Sequence, residues 1–261
     1  MILNAQAIGA DAFEFLKQTT ELTVHSIFKK GFNLVDANEE LIFVGTTENG
    51  MFPFGIILDD MTKNKIISQI EVGQSIKVTP MTLQFTQNLQ LNWKEDVYNL
   101  ISKSEGIDIV QLRENVESYA FDEYQKGDFK SDTMQKLIAS LKDTDADVEQ
   151  QLRYLIGRGQ GLTPSGDDML VGMLFIHSIH PYIAKIHLEK IKQLINEPLT
   201  TLVSQTFLKY AVNDQFSSKL LDLKDNPSKE RIAELLKVGS SSGKDTLYGI
   251  YTALRRSGTN E

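Results

Sequence analysis

Asp167 and Asp168 stand side by side at the end of a glycine-rich stretch, Gly157-Arg158-Gly159-Gln160-Gly161-Leu162-Thr163-Pro164-Ser165-Gly166-Asp167-Asp168. The stretch runs directly into the apolar segment Met169 to Ile176, which predicts a polar loop opening a buried helix. At a helix N-terminus the unpaired N–H groups and the dipole favour an anion. Carboxylates placed there can cap the helix, hold a metal or ligand, or take a proton, and the residue types alone leave these three roles open. Arg158 carries a planar fork suited to a carboxylate or phosphate, or else serves as an ordinary surface arginine.

The pattern Ser-Gly-x-Asp-x-Leu-x-Gly of Ser165 to Gly172 recurs at Ser242 to Gly249, preceded by Gly239-Ser240-Ser241. Two such loops, each opening an apolar helix, suggest a pseudo-symmetric pair whose N-termini converge on one pocket. Asp245 is then the counterpart of Asp168. Gly159, Gly161, Thr163, Ser165, Gly166, Ser241, Ser242 and Gly243 supply backbone and hydroxyl donors to the same place. Thr200, Thr201 and Ser204 put hydroxyls at i, i+1 and i+4, either lining that cleft or capping the helix after Pro198. The simpler alternative makes both motifs plain N-caps, with Gly172 and Gly249 allowing close helix packing.

Other chemistries fit less well. Gly239 to Asp245 is one residue short of a P-loop and has aspartate after Lys244. A serine nucleophile lacks the Gly-x-Ser-x-Gly elbow. His177 and His180 lie one turn apart without a His-Glu-x-x-His pattern, so satisfied core histidines are the better reading. The acidic run Asp143 to Asp147 lacks the glycine and glutamate of an EF-hand loop and reads as a helix start. The one metal the three aspartates would suit is magnesium; no cofactor is demanded.

With 261 residues, 41% hydrophobic and 24% charged, the chain has the composition of a soluble globular protein. A net charge of −8 argues against non-specific nucleic-acid binding, and the absence of cysteine excludes disulfides and thiolate chemistry. The start Met1-Ile2-Leu3-Asn4-Ala5 lacks signal-peptide character, and the run Met169 to Ile176 is too short for a bilayer. A cytoplasmic protein with no membrane association is expected.

These residues must be positioned by their surroundings, and the periodicity divides those in two. Residues 1–94 read as a β-rich domain, a small barrel or sandwich, with a helix near Ala12 to Lys17 and strands at 22–28, 32–35, 41–44, 54–58, 66–70, 75–78 and 82–85. The segments 32–35 and 41–44 form a hairpin across Asp36 to Glu39. Residues 95–261 read as an all-helical domain, with Val97, Leu100 and Ile101 on one face and Leu137, Ile138 and Leu141 on another. Residues 125–128 read as a loop. Further helices follow at Ile183 to Ile195, after Pro198, and after Pro227 with Ile232, Leu235 and Leu236 inward. The segment 168–179, apolar nearly all round, is the central core helix, giving an α+β chain without βαβ alternation.

The stretch Gly157 to Asp168 resembles the signature of a bacterial family, one branch of which is the AllH-type subunit of oxamate carbamoyltransferase. Gly239-x-Ser241-Ser242-Gly243-x-Asp245-x-Leu247-x-Gly249, Thr200-Thr201-x-x-Ser204, and Phe32-Asn33-Leu34 with Pro53-Phe54-Gly55-Ile56 are similar to it too. The resemblance implies phosphorolysis of oxalurate to oxamate and carbamoyl phosphate, in allantoin or purine breakdown. It also implies work beside two other subunits, one resembling acyl-CoA synthetases. Ser240 stands where that pattern often has histidine, and Lys244 where it has a small residue. A metal-dependent hydrolase using Asp167, Asp168 and Asp245, and a non-catalytic scaffold subunit, are the alternatives.

Overall fold

Residues 1–101 and 106–255 are described by the computed structural model. The chain is α+β, and it divides into two units: residues 1–101 with Ser217–Lys219, and the remainder. In the first unit the elements run β1 (Ile2–Asn4), β2 (Ala7–Gly9), α1 (Ala10–Gln18), β3 (Glu21–Phe28), β4 (Gly31–Val35), β5 (Leu41–Gly45), β6 (Gly55–Ile57), α2 (Asp60–Ile67), β7 (Ser75–Thr79), β8 (Thr82–Thr86), β9 (Leu89–Asn92) and β10 (Val97–Tyr98).

All ten strands join one sheet in the order β1-β9-β8-β7-β3-β4-β5-β6-β2-β10. The Ala5 N–H donates to the Asn92 carbonyl beyond β1, while the next N–H, of Gln6, donates to the Ile57 carbonyl of β6. Adjacent peptide groups thus serve strands from opposite regions of the sheet, which is possible only if the sheet curls back on itself. Along β7, β8 and β9 burial alternates, with Ile76, Val78, Leu83, Phe85, Leu89 and Leu91 inside. The β4–β5 hairpin turns where Asp36 Oδ1 accepts the N–H groups of Asn38 and Glu40 at 2.9 and 2.8 Å.

Two expectations fail in this unit. Ile66 to Ile70 is not a strand: α2 covers Ile66 and Ile67, because Asp59 caps it by accepting the Thr62 N–H at 2.7 Å. Val97, Leu100 and Ile101 do not form a helical face. Val97 and Tyr98 pair in parallel with β2, and Ile101 is exposed. The N–H and C=O groups of β2's free edge outweigh the weak helical spacing of three residues.

The second unit is helical: α3 (Ile109–Glu117), α4 (Ser131–Lys142), α5 (Glu149–Leu155), α6 (Ser165–Ile179), α7 (Lys185–Ile195), α8 (Leu202–Ala211), α9 (Ser218–Asp225, of which Leu220 onward lies in this unit), α10 (Lys229–Leu236) and α11 (Ser242–Leu254). Its core surrounds α6, whose Met169, Leu170, Met173, Leu174, Phe175 and Ile176 are all buried. The turn at 143–147 leads into α5, with Asp147 Oδ1 accepting the Glu149 N–H at 3.0 Å. Ile183 precedes α7 and Ile186 on it is exposed, so the inward face of that helix is Ile191, Leu194 and Ile195. Among the described residues no helix is long and apolar enough to cross a membrane.

Helices α6 and α11 pack backbone to backbone. A Cβ on Gly172 would lie 2.2 Å from the Thr246 carbonyl oxygen, and one on Gly249 would lie 2.0 Å from that of Met169. Glycine is required at both. Gly172→Ala and Gly249→Ala are each expected to lose about 1–3 kcal/mol or more in urea denaturation, despite alanine's better helix propensity. Gly127→Ala is the control, since nothing lies within 4 Å of a Cβ there.

Candidate functional site

The crossing of α6 and α11 brings their two N-terminal loops together. Thr163 Oγ1, from the glycine-rich loop, lies 2.7 Å from Ser242 Oγ at the start of α11. Asp168 is buried beside these two hydroxyls, within electrostatic reach of Asp245. The repeated motifs therefore meet in space, with Asp168 and Asp245 on the facing sides of the two helices.

The carboxylates differ sharply in how they are satisfied. Asp167 Oδ1 accepts the Gly157 N–H at 2.8 Å, and Oδ2 accepts the hydroxyls of Ser204, at 2.8 Å, and Thr200. Asp167 thus ties the glycine loop to the start of α8. Asp245 Oδ1 accepts the Tyr124 hydroxyl at 2.6 Å, while its Oδ2 is buried without a partner. Asp168 Oδ2 is likewise buried and unpartnered. An unmet buried acceptor costs about 1–3 kcal/mol, so two in one cluster require an explanation.

Burial raises the Asp168 carboxyl well above the usual carboxylate range; the Ser242 and Thr163 hydroxyls pull it down, and the charge of Asp245 adds to the rise. Burial also raises Asp167, against the pull of its three donors. A neutral Asp168 can donate a hydrogen bond or a proton, and Asp245 can accept one. Among the described residues no three carboxylate or histidine side chains are grouped to hold a metal ion. Asp167, turned toward α8, does not complete a three-aspartate site with the other two.

The remaining expected residues serve several separate roles. Gly159, Gly161, Thr200 and Thr201, with Gly157 and Pro164, line an open depression of about 330 Å3. Gly157, Gly159 and Gly161 all have positive φ, which lets this loop turn tightly. Gly166 and Gly243 are packing positions: a Cβ would lie 2.0 Å from the carbonyl oxygens of Leu155 and Leu235 respectively. Thr201 caps α8 by accepting the Ser204 N–H at 3.1 Å and donates to the Leu162 carbonyl. Ser165 opens α6 half-buried, and Ser241 stands exposed at the N-cap of α11 without a side-chain bond. Arg158 pairs with Asp128 at 3.0 Å and lies over the Tyr154 ring, so its fork is engaged.

Tyr124 is the residue that sequence reasoning missed. It sits on a 3-10 turn, Asp122–Lys126, beside a segment read as a loop, and no spacing marks it. That turn is also held by an ion pair between Glu123 and Lys244, so consecutive residues of the turn grip consecutive residues of α11. His177 is half-buried, its Nδ1 accepting the N–H groups of Tyr182 and Ile183, both at 3.0 Å, and His180 is exposed, so neither is the core histidine expected.

Comparison with known families finds two matches. A family model described as oxamate carbamoyltransferase subunit AllH matches residues 155–254, and one described as the AllH family N-terminal domain matches residues 4–97. No solved structure matches the chain.

The two adjacent aspartates are expected to respond oppositely to amidation. Asp167→Asn turns an amide NH2 against existing donors and should cost about 1–3 kcal/mol. Asp168→Asn should be neutral or stabilising. Because the folded pKa of Asp168 is raised, the folded state binds more protons than the unfolded one above the usual carboxylate range. Stability therefore falls as pH rises through that window. Urea midpoints measured across mildly acidic pH should decline less steeply in Asp168→Asn than in the parent.

Proposed function

Since the chain belongs to the AllH family of oxamate carbamoyltransferase subunits, we propose that it binds the reactants of oxalurate phosphorolysis at the Asp168–Asp245 cluster. In this reaction phosphate attacks the carbamoyl carbon of oxalurate. A C–O bond forms, the C–N bond breaks, and the proton of hydrogen phosphate ends on the departing nitrogen of oxamate. A site for it must accept amide N–H groups, hold an oxyanion and relay one proton.

The unpartnered oxygens of Asp168 and Asp245 carry the proposal. Oxalurate, oxamate and carbamoyl phosphate all bear a carbamoyl or amide NH2, a donor complementary to the Asp245 oxygen, while the Asp168 oxygen, when protonated, is itself a donor to the substrate. The Thr163 and Ser242 hydroxyls and the two helix N-termini suit the oxyanion. Asp168, favoured as the neutral acid, suits proton donation to the leaving nitrogen, and Asp245, held by Tyr124, suits orientation of the NH2 group. Gly159, Gly161, Thr200 and Thr201 line the neighbouring depression, which offers room for the remainder of the substrate or for phosphate. The other subunits of the carbamoyltransferase, an acyl-CoA-synthetase-like chain among them, are the expected partners.

A scaffold role is the second reading, favoured by Asp167, Gly166 and Gly243, whose interactions are all internal. Calorimetric titration separates the two. Carbamoyl phosphate should bind at least about tenfold more tightly than sulfate, and Asp168→Asn should remove that preference, a change of about 1.4 kcal/mol or more. The titration is run on the chain alone and on the complex assembled with its partner subunits. Equal affinity for the two anions in both, or an unaltered Asp168→Asn protein, would leave the scaffold reading standing.

A further inference from the structure

Apart from the aspartate cluster, the second unit holds a cavity of about 400 Å3 beside the 3-10 turn. That volume falls within the range of small-molecule sites, roughly 300–1,000 Å3. Its lining joins three kinds of group. Phe121, Tyr248 and Tyr251 give an aromatic wall, Lys130 and Arg255 are cationic, and Asp122 and Asp132 are acceptors. We propose that this cavity binds a planar heteroaromatic anion of nucleoside-monophosphate size.

The aromatic wall is fixed in advance. Phe121 lies 4.7 Å from Tyr251 and 5.3 Å from Tyr248, centroid to centroid. Tyr248 is locked twice, by donating its hydroxyl to the Phe129 carbonyl at 2.8 Å and by stacking on Tyr124 at 4.1 Å with planes 5° apart. Phe121 and Tyr248 are themselves buried, so an arriving ring meets the half-buried Tyr251, which these two hold in place and which needs no ordering to receive it.

The charges are arranged for a ligand of mixed polarity. Arg255 donates from Nη1 to the Tyr251 hydroxyl at 2.8 Å, with its guanidinium 5.3 Å from that ring's centroid. Lys130 stands at the N-cap position of α4, where the helix dipole adds to its positive charge. These groups suit a phosphate. The two carboxylates on the same lining oppose a bare anion, yet they suit the hydroxyl and amino donors of a nucleoside. Inorganic phosphate or sulfate alone satisfies only half of this lining. Tyr124 backs Tyr248 and binds Asp245, so the cavity lies one ring away from the aspartate cluster and is distinct from it.

The test is calorimetric titration of the full chain with adenosine 5′-monophosphate, with adenosine and inorganic phosphate as separate probes. Saturable binding of the monophosphate is expected, at least tenfold tighter than either fragment. Lys130→Glu with Arg255→Glu should weaken it at least tenfold, and Arg255→Lys should restore part of the loss when Lys130 is kept. Circular dichroism should show unchanged helicity in these surface variants. Tyr251→Leu should weaken the monophosphate and adenosine alike. No saturable binding at millimolar monophosphate, equal binding of adenosine, or full affinity in the charge-reversed protein would overturn the proposal.

Discussion

The site depends on one constraint, the direct contact of two helix backbones at Gly172 and Gly249. Each glycine faces a carbonyl of the opposite helix, Thr246 for the first and Met169 for the second. Thr246 and Met169 occupy the same place in the two motifs, four residues beyond Ser242 and Ser165. Exchanging the helices therefore maps the contact onto itself, as a local two-fold. Asp168 and Asp245 lie four residues before the glycines, about 6 Å along each axis and on the same face. Once the glycines touch, the aspartates must face one another. The loops before the helices follow the same rule, Gly166 packing on Leu155 and Gly243 on Leu235.

Bringing two carboxylates together in a buried place opposes stability, and the surroundings offset only part of that cost. Tyr124 gives one hydrogen bond to Asp245, and the Thr163 and Ser242 hydroxyls favour a charged Asp168. One oxygen of each remains without a donor. The cluster is thus electrostatically unfinished, and a shared proton or a ligand bearing N–H groups would finish it. Elsewhere in this unit a buried carboxylate is handled differently: Asp167 has three donors.

The sequence displayed the cluster because a repeated motif carries its own geometry. A serine-glycine start, an aspartate and a glycine at fixed helical spacing mark the N-terminus and the contact face together. The sheet was legible at β3, β4, β5, β7 and β8, all five residues or longer, and at the three-residue β6, whose flanking Phe54 and Leu58 extend its apolar run. Strands β1, β2 and β10, of two or three residues, carry too little alternation to register. They exist because the curled sheet offers them edges. The isoleucines near residue 66 suggested a strand through their β-branching, whereas the capping pair Asp59 and Thr62 decided for a helix. Tyr124 was invisible because its role comes from a 3-10 turn meeting a helix more than a hundred residues later.

The two local symmetries, of packing and of chemistry, do not extend equally far. The counterpart of Asp167 in the second motif is Lys244, and each is used to anchor its own loop: Asp167 to Gly157, Thr200 and Ser204, Lys244 to Glu123. Anchoring needs differ between the loops, so the residues differ. Consecutive positions on a helix point about 100° apart, which lets the anchor change while its neighbour stays the same. At that neighbouring position both motifs carry aspartate, and each side chain engages its surroundings: Asp245 accepts the Tyr124 hydroxyl, and Asp168 lies against the hydroxyls of Thr163 and Ser242. The pair Asp168 and Asp245 is thus common to both motifs where the anchors differ, and each keeps one buried oxygen that no protein group reaches.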